Sequence, residues 1–140
     1  MSHYPSGPGR IIPAMSYRDP AAAIEFLCTA FGFERHAVYE EEGRVVHAQL
    51  AYGNSMVMLG PTNDGPFGRM MIQPEEALGR VTQSIYVVVE DVDAHCHKAS
   101  ANKARIVFAP KDESYGGRSY TCADTEGHLW TFGDYDPWMR

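Results

Sequence analysis

From Arg44 to Tyr52 the chain alternates, with Val46, Ala48 and Leu50 on one face and Val45, His47, Gln49 and Ala51 on the other. A period of two marks a strand with one covered face. Upstream, residues 11–17 make a short apolar strand, and Asp19-Pro20 then supplies a cap and a first helical residue. Ala23, Phe26, Leu27, Ala30 and Phe31 recur at helical spacing, and Gly32 closes that helix. Residues 35–40 form a strand joined to Arg44–Tyr52 through Glu41-Glu42-Gly43, and Gly53-Asn54 turns the chain into a strand over 55–59.

The second half repeats this order. Residues 82–89 are β-branched and strand-like, and Asp91 caps a helix running to about Ala101. Strands follow over 104–108, 118–123 and 128–132, the last two turned through Asp124-Thr125-Glu126-Gly127. Each half is strand, helix, strand, strand, strand, a unit that cannot bury its own apolar face, so two copies must pair. The expected class is α+β: two βαβββ repeats forming a curved, mostly antiparallel eight-stranded sheet with outer helices and a concave inner face. The division is a flexible arm (1–10), a first unit (11–60), a connector (61–80), a second unit (81–135) and a tail (136–140). The connector is rich in Gly, Pro and Asn, with one helical turn at 74–78, which suits a functional loop.

Composition narrows the function classes. The 140 residues are 44% hydrophobic and 21% charged, values of one globular domain with a real core. A net charge of -6, without a Lys/Arg cluster, argues against nucleic acid as partner. Apolar runs fall far short of the ~20 residues that span a bilayer, and no signal pattern opens the chain. Cys28, Cys96 and Cys122 are odd in number and widely spaced, as in reduced thiols. The expectation is a soluble cytoplasmic protein with no membrane partner.

Several separated segments resemble one family. Residues 17–26 (YRDPAAAIEF) with Ala30-Phe31-Gly32-Phe33 are similar to the opening of the glyoxalase / bleomycin-resistance / dioxygenase proteins, the vicinal oxygen chelate superfamily. Residues 89–94 (VEDVDA) and 124–130 (DTEGHLW) resemble its second-unit markers, and Tyr115-Gly116-Gly117-Arg118 looks most like its PhnB-like branch. The resemblance implies a small-molecule cleft, commonly a homodimer, and in the enzymes a divalent metal held by one residue from the first and last strand of each unit. Those positions fall here on Ile12, Met58, Ser84 and Thr131. Ile and Met offer an oxygen-preferring metal nothing, and Ser and Thr hydroxyls are weak substitutes for imidazole or carboxylate. The expectation is therefore a protein with no cofactor and no divalent metal.

The residues expected to touch a ligand are His47, Gln49, Met58, Ser84, Arg118, Tyr120 and Thr131. His47 is the candidate acid/base, since imidazole titrates near neutral pH. Against it stands the bland reading of a hydrogen-bonded sheet histidine. Arg118 suits an anionic group, or else a loop ion pair with Asp112 or Glu113. Tyr120 and Cys122 share one face and Ser119 and Thr121 the other, without the register that tells which is open. Cys122 lacks the cationic surround of a reactive thiol, and His95 and His97 point to different sides of a helix, which disfavours a shared metal. By alternation, His128, Trp130 and Phe132 turn toward the helices. Met56, Met58, Met70 and Met71 supply adaptable lining or core filling. Two functions follow: a metal-free protein that binds or sequesters a drug or metabolite, or a glyoxalase, isomerase or dioxygenase-type enzyme with a non-standard or absent metal site.

Overall fold

The computed structural model describes residues 7–139. Most of the expected arm, with His3, lies outside them. Two βαβββ units are present: β1 (Ala14–Tyr17), α1 (Pro20–Phe26), β2 (Glu34–Glu41), β3 (Arg44–Tyr52) and β4 (Ser55–Pro61), then β5 (Ile85–Val88), α2 (Val92–Ala101), β6 (Arg105–Asp112), β7 (Arg118–Ala123) and β8 (Leu129–Gly133). Both helices start as expected. The Asp19 carboxylate accepts from the Ala22 amide and Asp91 from Ala94, satisfying free donors of each first turn. Helix α1 widens into a π turn over Leu27–Phe31 before Gly32, at φ 94°, ends it.

The eight strands fall into two four-stranded sheets, in orders β1-β4-β3-β2 and β5-β8-β7-β6. Each pairs its first and last strands in parallel and the rest antiparallel. The α+β class and the doubled unit are thus as expected, but among the described residues no hydrogen-bonded strand pair joins the two four-stranded sheets into one of eight. Helix α1 packs on β1, β3 and β4 and α2 on β6, β7 and β8, and the π turn after α1 links the units: Phe31 packs on Trp130 at 5.3 Å and Phe132 at 4.7 Å. Phe33 bridges Tyr52 of the first sheet and Trp130 of the second. The two units share a single core that includes Leu27, Leu50, Leu59, Val92, Cys122 and Trp130. Each sheet buries its apolar face in that shared layer, so each open face is turned away from it.

Polar contacts fasten the units together. The turn between β7 and β8 sits against β1, and the buried Asp124 carboxylate accepts from Tyr17 Oη at 2.6 Å and Trp130 Nε1 at 3.0 Å. The same side chain takes the Glu126 and His128 amides. Burial, and then the Asp124 charge, hold the Tyr17 phenol well above its ordinary range. Glu126 accepts the Arg18 and Asp19 amides, and His128 Nε2 donates to the Ser16 carbonyl.

Candidate functional site

The register of β2, β3 and β4 decides which alternating set is open. Ala48, Leu50, Val57 and Leu59 are buried in the shared core, so the intervening residues look outward. Tyr39 stands opposite His47, Ala37 opposite Gln49, and Gln49 opposite Met58. The Tyr39 and His47 rings are 5.9 Å apart and inclined by 30°. His47 Nε2 lies 3.3 Å from Gln49 Nε2, a contact in which the amide donates to the imidazole when that nitrogen is bare. Half-buried Met58 extends this row toward Ala14 of β1. The result is a shelf with one aromatic end, a polar middle and a thioether end.

The second sheet presents a sparser outer face. Tyr86 pairs with Thr131, and Thr131 with Thr121, their hydroxyls 2.8 Å apart. Tyr86 reaches across Gly133 and donates to the Tyr135 carbonyl at 2.6 Å. A side chain at Gly133 would collide with the Tyr86 hydroxyl and with Ser119. Val88 and Phe108 add exposed apolar surface.

Of the seven residues expected from the sequence, His47, Gln49 and Met58 come together on the first open face. Thr131 lies on the second, with its hydroxyl engaged by Thr121. Ser84 is exposed and precedes β5 rather than standing in it. Arg118 is clasped by Asp93 through two bonds of 3.1 Å and by Asp112 at 3.2 Å, which raises its already high pKa and leaves it poorly placed to hold a ligand. Tyr120 is a correction. Pairing with Phe132 puts it on the core face, 1% exposed, with its hydroxyl 2.6 Å from His95 Nδ1. Cys122 shares that face, and burial first, then Asp124, pushes its thiol up to about 12, far from a nucleophile's range.

Sequence reasoning missed Tyr39, because the β2–β3 ladder shifts register twice, with an extra residue at His36 in β2 and another at Val46 in β3, and simple alternation breaks at both. It also missed what His95 does. That ring donates from Nε2 to the Phe31 carbonyl, which can only accept, so its Nδ1 accepts from Tyr120. Desolvation, more than any charge, lowers its pKa and keeps it neutral between the units.

The structure does not bring together the four positions expected from the sequence to correspond to the family's metal ligands. Ile12 and Ser84 lie outside the strands, Met58 offers a thioether and Thr131 a hydroxyl already bonded. Among the described residues, no three His, Cys, Asp or Glu side chains are grouped to hold an ion.

The model of the Glyoxalase/Bleomycin resistance protein/Dioxygenase superfamily matches residues 12–132. The chain belongs to that superfamily. An uncharacterized protein of Mycobacterium bovis is 33% identical over 122 residues, covering 86% of this chain and 80% of the relative. The crystal structure of TioX from Micromonospora sp. ML1 superposes with a TM-score of 0.69 at 29% identity, over 90% of this chain and 98% of that one. The fosfomycin resistance protein FosX from Mesorhizobium loti shares the fold, with a TM-score of 0.65 at 15% identity over 92% and 93% of the two chains.

Proposed function

We propose that this superfamily member is a metal-free small-molecule-binding protein whose ligand lies on the outer face of the first sheet. The observation that carries the reading is the Tyr39–His47–Gln49–Met58 row, in which a flat ring would find a stacking partner, a polar orienting pair and a soft contact together. Stacking on Tyr39 is worth about 0.5–1.5 kcal/mol beyond area, Met58 adapts to ring shape, and Gln49 offers both donor and acceptor. The unsuitable donors at Ile12, Met58, Ser84 and Thr131 support the metal-free form. A second copy of the chain is the natural partner, because an outer sheet face forms only one wall of a cleft and the described residues supply no facing wall.

An enzymatic alternative uses His47 as an acid/base group steadied by Gln49, and the same variants separate the two. Thermal-shift measurements with a planar aromatic cation such as proflavine should raise Tm by a few degrees at saturating ligand. Tyr39→Ala should abolish the shift and His47→Gln should only reduce it. An unshifted wild-type melt, or stoichiometric zinc, nickel or manganese in the purified protein, would sink the metal-free binding reading. Turnover of an α-keto thioester, lost in His47→Gln, would establish the enzymatic one.

A further inference from the structure

Where β4 ends, the connector borders an open cavity of about 710 Å³. One wall belongs to the body of the protein: Ser16, Arg18, Gln73 and Glu76. The other belongs to the loop itself: Asn63, Asp64, Gly68, Arg69 and Met71. The loop is knotted on Asn63. Its Oδ1 accepts the Gly65 amide at 2.9 Å, and its Nδ2 donates to the Pro61 carbonyl at 3.3 Å. Gly68 lies so close to Asn63 that any side chain there would collide with it. The Arg69, Met70 and Met71 amides donate to Gly65, Phe67 and Gly68. Loops packed on their own groups move as units and are often functional.

The ends of this knot are fixed to the body and its middle is not. Thr62 donates to the Tyr17 carbonyl on one side, and buried Gln73 bonds Glu126 on the other. Between them, among the described residues, the hydrogen bonds of residues 63–70 stay inside 61–71, and the hydrogen bond that ties the knot to β1 is Ser16 Oγ to Met71 Sδ at 3.3 Å. A thioether is a weak acceptor, so this link opens easily. Phe67 at 70% and Met70 at 81% exposure are apolar surface left uncovered in this position.

We propose that residues 63–71 form a flap over this cavity that opens by local unfolding as one cooperative unit between Thr62 and Ile72, with the Ser16–Met71 contact as its latch. Arg18 is held by Glu75 and Glu76 at 2.8 and 3.0 Å, so the charges the lining leaves for a solute are the Asp64 carboxylate and the Arg69 guanidinium on the flap, and the solute it admits is small and zwitterionic, such as a free amino acid, and not a hydrocarbon. This inference is independent of any ligand on the Tyr39–His47 shelf.

Amide hydrogen exchange on the ¹⁵N-labelled full chain tests it. In Ser16→Ala, the Arg69, Met70 and Met71 amides should exchange about three- to tenfold faster by a common factor, with β3 amides unchanged. Met71→Leu, which keeps the volume and removes the acceptor, should do the same. Asn63→Ala should dissolve the knot and its shared protection. In the wild type, an equimolar mixture of free amino acids should slow the same three amides, and toluene should not. Unchanged exchange in both latch variants, unequal factors among the three amides, or no slowing by the amino acids would overturn the proposal.

Discussion

His95 shows how one residue is given its state by what surrounds it. Its ring is 4.2 Å from Phe132 and bonded at both nitrogens, so a second ring proton would displace the Tyr120 hydroxyl from its donor role. Desolvation, with a smaller push from Lys98, lowers its pKa below the unfolded value of 6.5. As pH falls, the unfolded chain takes up this proton first. The stability that neutral His95 confers is therefore complete above about 6.5 and is lost toward its folded pKa, with a slope of at most ~1.4 kcal/mol per pH unit. Urea midpoints from pH 8 to 5 should fall less steeply in His95→Gln than in the wild type, and parallel curves would refute the assignment. The sequence offered only a polar residue on a helix with mixed neighbours. Its role depends on Phe31 and Tyr120, which are 64 and 25 residues away.

Among the elements, the turn between β7 and β8 does more than reverse the chain. It delivers Asp124 to Tyr17 and Trp130, and Glu126 to the backbone just ahead of α1. A buried carboxylate satisfied by four donors is stable only while all four remain. Asp124→Asn turns an amide donor toward some of them, and we expect a loss of about 2–4 kcal/mol. Equilibrium urea unfolding measures this directly, and a change below ~1 kcal/mol would show that the turn is not a fastening. By contrast, the Arg18 bridges to Glu75 and Glu76 are exposed and add little. Helix starts, the Arg44–Tyr52 strand and the order of elements were legible in the sequence, since capping and alternation are local. The bulges at His36 of β2 and Val46 of β3 were not, and Tyr39 was lost with them, as was the exposure of Val46, which alternation places with buried Ala48 and Leu50.

For the molecule as a whole, the shared helical and aromatic layer places the two open faces on outer surfaces. Tyr39, Val46, Tyr86, Val88 and Phe108 lie exposed on or beside them, more large apolar surface than two isolated sheet faces need. If a second copy provides the facing wall, light scattering at tens of micromolar should give twice the mass of 15.6 kDa. Charged substitutions on both faces, Tyr39→Glu with Val88→Lys, should return the chain to a monomer. A monomeric wild type would end this part of the reading. No helix among the described residues is long and apolar enough to cross a membrane.

What the sequence determined by itself was periodic or local: the doubled βαβββ unit, its caps and turns, and the superfamily markers. These follow from neighbours a few residues apart, whose spacing is fixed by helix and strand geometry. Tertiary structure alone decided that the helical layer lies between two separate sheets, that Tyr120 is core and Tyr39 is not, and that His95 binds the units together. Each of these depends on which distant face meets which, and that is settled by packing a shared apolar core rather than by any local period.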